Sequence, residues 1–461
     1  MPIKPNSLEA RDVESVLHPY TNLATLPKSG PFLIDRGEGV YVFDGEGNSY
    51  IEGMAGLWCT ALGFHEKELI AAATAQMEKL PYYHVFSGKG HESSIALAEK
   101  LKAMMPFNAG KVSFTCSGSE ANDTQIKLIW YYNNIIGRPK KKKIISRIKA
   151  YHGVTVASAS LTGLPHLHAD WDLPIQGILH TDCPHHYRLA EPGETEEEFA
   201  SRLAANLEAM IEREDPDTIA AFIAEPIMGA GGVILPPATY FEKIQAVLAK
   251  YDILFIDDEV ICGFARTGNM FGAETFGMAP TSMSIAKALS SAYVPIGAVI
   301  LPDFMDEALA EGSRRNGNFG HGYTYTGHPL GCAVALKTLE MYDRLDIVNR
   351  VRGMAPLFQK RLKALGDHPL VGEARGTGLI GAVELVADKN SKRSFDPAAG
   401  AGAIGQARAQ ANGLIVRAIG DVLAICPPLI ISEEEITMLF DRLEKALDEA
   451  DAQITKDGLR G

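Results

Sequence analysis

Between about residue 61 and residue 330, six short apolar runs alternate with stretches of helical period such as TYFEKIQAVLAKY. The runs are VSFT, KIISR, AAFIAEP, ILFID, SMSIA and IGAVIL. Each is too short for a helix and too uniformly apolar for a half-solvated strand. Alternation with helices then leaves one economical arrangement, a mainly parallel sheet covered by helices. Such sheets bind ligands outside the carboxyl ends of their strands. Two of those ends carry reactive groups: ILFID runs into Asp257, Asp258 and Glu259, and SMSIA stops just before Lys287.

A third strand end adds an anion site. VSFT leads through Ser117, Gly118 and Ser119 into a long helical stretch, EANDTQIKLIWYYNN. A helix N-terminus offers unpaired N–H groups and the positive end of the helix dipole, and a glycine there lets a phosphate approach the backbone. A phosphate cup, a carboxylate and an amine together are what pyridoxal 5'-phosphate (PLP) needs. The carboxylate keeps the ring nitrogen protonated, and the amine condenses with the aldehyde as a Schiff base. Position alone leaves Asp257, Asp258 and Glu259 as equal candidates for the ring acid.

A chain of 461 residues exceeds the span over which one core keeps growing, which predicts a large domain and a smaller one. The formal charge of −13 argues against general attraction to nucleic acid or anionic lipid. The one basic run, Lys140 to Lys143, comes after a helix stop at Gly137 and Pro139 and reads as a solvated loop opening a strand. The six cysteines lack metal-type spacing and read as reduced thiols. The N-terminal stretch has no signal-like apolar region, and no run of about 18 apolar residues occurs anywhere. These features predict a cytoplasmic protein.

Residues 1–60 contain two alternating runs around Gly45, Glu46, Gly47 and Asn48, a hairpin signal. Residues 61–330 form the expected large domain. Residues 331–461 shift to helical runs, the strand-like GTGLIGAVELV, GLIVRAI and DVLAICPP, and a last helix opened by the capping box of Ser432 and Glu435. This last segment is expected to join 1–60 in a small α+β domain.

With these residues in view, the chain resembles the class III aminotransferases of the fold-type I PLP enzymes, and most of all the omega-transaminases that use pyruvate as amino acceptor. The motifs behind the resemblance are AGLWC, SGSEAND, AYHG, AEPIMGAGG, DEVICGFARTG, SIAKALSS, HGYTYTGHP and VRAIGDVLAICPP. It implies an α/β fold, with a mainly parallel seven-stranded sheet sandwiched by helices and a smaller domain built from both termini. It also implies that Lys287 binds PLP and moves the proton, that Asp258 is the ring acid, and that Val260 and Tyr151 take opposite ring faces, with His152 beside Tyr151. Gly118 and Ser119 would hold the phosphate, joined by Thr324 of the other subunit of a homodimer with shared sites. Whether dimers pair into tetramers stays open. Arg417 would bind the acceptor carboxylate, Glu225 would lie near the PLP where it can pair with such an arginine, with their pairing at rest left open, and Trp58, Phe86 and Ala230 would wall the substrate pocket. Ala265 and Thr326 depart from the family pattern, the first at a position where glycine is expected.

The implied reaction passes an amino group from an apolar or aromatic amine to pyruvate by ping-pong. A transaminase for beta-alanine or gamma-aminobutyrate, or a PLP aminomutase, is the alternative on the same scaffold. A nicotinamide-dependent dehydrogenase is the alternative from another class, because Gly376, Gly378 and Gly381 spell G-x-G-x-x-G. Directly after them comes the strand-like AVELV, where that fingerprint needs a helix. His166, His168, His180, His185 and His186 lack metal-ligand spacing and read as a histidine-rich surface or interface region, so no metal is expected.

Overall fold

The computed structural model describes residues 3–461. Strands β1 (Ile34–Glu38), β2 (Tyr41–Asp44) and β3 (Ser49–Glu52) form an antiparallel meander. Asp44 closes its second turn, with Oδ1 accepting the N–H groups of Glu46 (3.0 Å) and Asn48 (2.9 Å). That is the Asx chemistry expected of a Gly-Glu-Gly-Asn connection.

Seven strands build the central sheet: β4 (Ala109–Thr115), β5 (Lys143–Arg147), β6 (Ile178–Thr181), β7 (Ile219–Ala224), β8 (Leu254–Asp258), β9 (Ser282–Ile285) and β10 (Gly297–Pro302). Their order is β4-β10-β9-β8-β7-β5-β6. All neighbours from β9 through β6 run parallel, whereas β10 is antiparallel to both β4 and β9. Every residue of β7 is buried, as its uniform apolarity requires. The six apolar runs supply all of these strands except β6. That edge strand, ILHT, has only four residues, two of them half-buried, so it makes no continuous apolar run.

The third sheet contains β11 (Val371–Thr377) and β12 (Ile380–Leu385). The next strand, β13 (Leu414–Ile415), leaves it to pair in parallel with β3, so both ends of the chain share one sheet. Strands β14 (Arg417–Ile419) and β15 (Val422–Ile425) complete the order β11-β12-β15-β14. The G-x-G-x-x-G glycines lie in the antiparallel β11–β12 hairpin, with no helix after them. Gly378 has φ +55, and a side chain there would collide with the Arg266 carbonyl. These glycines serve a turn and a close approach, so they do not form a dinucleotide site.

Two surface expectations need correction. The lysine run is not simply solvated: Lys141 is buried, with its Nζ donating to the carbonyls of Tyr251 and Asp252. Lys142 Nζ donates to the Trp130 carbonyl (3.0 Å), and Lys143 Nζ pairs with Glu214 (2.9 Å). Backbone acceptors at neighbouring element ends take up this charge. His185 is buried rather than superficial, because it packs under β11 and β12 against Glu373 and Glu384.

Candidate active site

A cavity of about 350 Å³ opens at the carboxyl ends of the central strands. Ser117, Gly118 and Ser119, Asp258, and Lys287 all line it, delivered by the connections after β4, β8 and β9. The helix Gly118–Ile135 begins there, and the Ser117 side chain accepts the Glu120 N–H (3.1 Å). The Glu120 carboxylate reaches back to the Cys116 N–H (2.7 Å), one residue before the cap. The Gly118 and Ser119 N–H groups have no intrahelical partner, as at any helix start, and both residues line the cavity. A Cβ on Gly118 would lie 2.9 Å from Val260 Cγ2, so only glycine fits between the helix tip and Val260.

Strand alternation separates the three consecutive acids. Asp258 lines the cavity, while Asp257 and Glu259 are fully buried away from it. Asp258 Oδ2 accepts from Asn122 Nδ2 (2.7 Å) and His152 Nδ1 (2.7 Å), and Oδ1 accepts the Val260 N–H (3.2 Å). A carboxylate is acceptor-only, and three donors fix its plane. Asn122 Nδ2 also donates to the His152 carbonyl (2.7 Å), tying the helix to the segment after β5. Sequence reasoning missed this role of Asn122, although the residue lies within the SGSEAND motif. Lys287 has a pKa lowered by burial, an effect that the charge of Asp258 opposes.

Tyr151, His152, Glu225 and Val260 also line the cavity. Glu225 accepts the Tyr151 N–H (2.9 Å) and the Gly229 N–H (3.0 Å), and burial pushes its pKa up. Arg417 opens β14, half-buried, close enough to act electrostatically on Tyr151. It has no ion pair among the described residues, and Glu225 bonds backbone donors. The Tyr20 hydroxyl donates to Tyr151 Oη at 3.1 Å, with the rings edge to face at 6.4 Å. Tyr20 lies far away in sequence, and nothing in its local pattern announces this contact. Cys59 and Cys116 line the cavity as well.

Five expected contributors do not line the cavity of one chain: Arg417, and four more. Trp58 is 2% exposed and packs with Met54, Ile227, Ile261 and Ala424, of which Ile261 lines the cavity. Phe86 and Thr324 are exposed, and Ala230 is half-buried in the loop after Glu225. The Thr324 carbonyl accepts the Tyr82 hydroxyl (2.9 Å). Of the two departures from pattern, Ala265 takes φ +73, in the region that favours glycine, and Thr326 Oγ1 accepts the Tyr323 N–H (2.7 Å).

His185, Glu373 and Glu384 bring ligand-type atoms within 4.8 Å of one another. Arg375 Nη1 already bonds both carboxylates (2.5 and 2.7 Å), so a guanidinium neutralises the cluster where a metal ion would sit. The main cavity, by contrast, suits PLP. One end offers helix N–H groups over a glycine with no room for a Cβ, and the middle offers an anchored carboxylate and a half-buried lysine. His152 Nε2 and Asn122 Oδ1 remain buried without partners beside it.

The model of the family described as aminotransferase class-III matches residues 25–447. A gamma aminobutyrate transaminase 1, mitochondrial, of Solanum lycopersicum is 52% identical over 442 residues, covering 95% of this chain and 85% of that protein. An omega transaminase from Pseudomonas jessenii, solved in complex with PMP, superposes with a TM-score of 0.96 at 53% identity, covering 98% of this chain and 99% of the other. A transaminase solved with L-alanine is also 53% identical, with a TM-score of 0.90 over 92% of this chain and 100% of its own. A match of this extent, on a chain whose strand ends carry the lysine, the acid and the helix tip, places it among the class III aminotransferases.

Proposed function

We propose that this PLP-dependent aminotransferase passes an amino group from an amine with an apolar or aromatic substituent to pyruvate, by ping-pong. The observation that carries the reading is Arg417, a guanidinium without an ion pair among the described residues, near a cavity whose lining includes the apolar Ile261, Val294, Pro295 and Ile296. An apolar wall suits a hydrocarbon substituent, and a planar fork suits one carboxylate. The relative crystallised with L-alanine, the amino acid that pyruvate becomes, supports this acceptor.

Bound PLP supplies an electron sink for the carbon bearing the amine and stores the amino group between half-reactions. The chain's own residues do the rest. Lys287, kept toward its neutral form by burial, takes a proton from the substrate carbon and returns it. Asp258, held by His152, Asn122 and the Val260 N–H, keeps its charge aimed into the cavity. Gly118 and Ser119 grip the phosphate. Glu225 fixes the backbone of Tyr151, and Tyr151 and Val260 would hold the cofactor ring between them. Thr324, exposed in its own chain, reaches the phosphate end of a partner's site in a homodimer; Phe86 and Ala230 wall the substrate pocket, and Trp58 backs it from its own core through Ile261. The boundaries near residues 60 and 330 separate the cofactor domain from the small domain. We keep the cytoplasm as the compartment, on the six free cysteines. Among the described residues, no helix is long and apolar enough to cross a membrane.

The names of the curated relatives favour a second reading, with gamma-aminobutyrate as donor. In a ping-pong cycle donor and acceptor occupy the site in turn, so one arginine can serve both carboxylates. A donor panel with pyruvate as acceptor, monitoring alanine, tests the two. Arg417→Ala is expected to raise KM for pyruvate about 10- to 100-fold, the worth of a charge-assisted contact, and to leave KM for an uncharged-tail amine nearly unchanged. A matching rise for gamma-aminobutyrate establishes the second reading. Failure of pyruvate to drain the amino group from any donor removes the first.

A further inference from the structure

Residues 54–58 carry the chain from β3 into the cavity wall through a turn with three left-handed positions: Ala55 (φ 47), Gly56 (φ 65) and Trp58 (φ 66). Alanine and tryptophan reach that region only against a steric cost, and such cost persists where surrounding structure over-determines it. The root of the turn is fixed by both terminal segments. The Gly53 N–H donates to the Ile415 carbonyl (2.9 Å), and the Gly53 carbonyl accepts the Cys426 N–H (2.6 Å).

Glu52, the last residue of β3, reaches into this turn. It is 7% exposed, and its Oε1 accepts the Met54 N–H at 2.9 Å, with the Gly56 N–H also facing it. No cation bonds it among the described residues, so a buried carboxyl is spent on the backbone of the turn. The titratable groups around it are the thiols of Cys59 and Cys426, with Lys287 beyond both and Arg266 beyond Cys426. Burial pushes Glu52 up to about 7, while the Met54 and Gly56 N–H groups pull it back. At the end of the turn Cys59 lines the cavity with Lys287.

We propose that Glu52 is a positioning residue: its carboxyl group holds the 54–58 turn in place and thereby keeps Cys59 in the cavity wall beside Lys287, which sets the size of amine that fits. This rests on the cavity being the substrate site, so the test has one arm that needs no turnover. In that arm the cofactor-free protein is alkylated with iodoacetamide, and labelling of Cys59 is compared with labelling of Cys116. Cys116 lines the same cavity from the helix side and serves as internal control. Glu52→Ala is expected to raise the Cys59:Cys116 ratio about tenfold, the effect of a turn opening more often. Glu52→Gln, which keeps an acceptor oxygen, is expected to stay within about twofold of the parent.

The second arm uses the loaded enzyme and compares kcat/KM for a small alkylamine with that for an arylalkylamine. The quotient of the two cancels ionisations common to both donors, Lys287 among them. In the parent it is expected to change as pH crosses about 7, where Glu52 loses its proton and becomes the stronger acceptor. In Glu52→Gln the quotient is expected to be flat with pH, and in Glu52→Ala to shift about fivefold at every pH. An unchanged labelling ratio in Glu52→Ala overturns the proposal, as does an equal loss for both donors. If that variant fails to fold, Glu52→Asp, too short to reach the Met54 N–H, is expected to raise the ratio, and no rise overturns the proposal. Absence of turnover with every amine would instead count against the substrate assignment and leave the labelling result standing.

Discussion

Lys287 occupies the left-handed region (φ 49), a costly conformation for a side chain with a Cβ. Strain of this kind concentrates where a side chain must be aimed. Lys287→Ala is expected to lower kcat by at least about 10²–10⁴-fold, the range of a lost general base, while cofactor still binds at the helix tip. Turnover together with cofactor content after dialysis measures both. Asp258 opposes the burial effect on Lys287, so in Asp258→Asn the lysine pKa falls further, and the acid limb of the rate profile moves to lower pH in whatever activity remains. Behind the strand, burial raises both Asp257 and Glu259, the latter to about 7, and repulsion from Glu259 raises Asp257 further. A raised folded pKa means that the native state binds protons which the unfolded state has released. The stability tied to these acids is therefore complete below about pH 4, near the unfolded values, and declines as pH rises through about 7. Urea midpoints at pH 5.5 and 8 should show this decline, and Asp257→Asn should reduce it. Which of three neighbouring acids faces the ligand could not be read from their order. The DEV motif selected Asp258 by resemblance, and the pleat of β8 put the other two on the far side.

Two helix starts with the same chemistry do different work. Ser117 caps the helix Gly118–Ile135 at the cavity, whereas Ser432 caps Glu433–Lys456, in a full capping box, and does not line it. Either serine replaced by alanine should cost about 1 kcal/mol of stability. Only Ser117→Ala should also weaken cofactor binding, because its helix tip lines the cavity; titration with PLP against a thermal melt separates the effects. The Ser432 box was legible in S-x-x-E, and six strands were legible as apolar runs. Strand β6 was not, since a short, half-exposed edge takes its conformation from its pairing with β5. The β11–β12 hairpin was legible through the strand-like AVELV next to its glycines, even though their spacing suggested a nucleotide site.

At the scale of the whole molecule, Thr324 and Phe86 are exposed and do not line their own cavity, and Tyr82, Tyr83, Phe319 and Tyr325 are exposed near them in sequence. If Thr324 completes a partner's phosphate site, cofactor retention should depend on protein concentration. Dilution through the dimer dissociation range should release PLP, and Thr324→Ala should release it at higher concentration than the parent; retention independent of dilution would assign the phosphate to one chain. By itself the sequence determined the parallel core, the order of cup, acid and amine, and the class of chemistry, because each stems from local pattern or from a group's intrinsic reactivity. Only the tertiary structure decided that Asp258 is gripped by His152 and Asn122, that Tyr20 reaches Tyr151, that Trp58 is core, and that a buried Glu52 stitches a strained turn beside the lysine. Those contacts join residues by strand pleat and chain return, and separation along the chain carries no record of either.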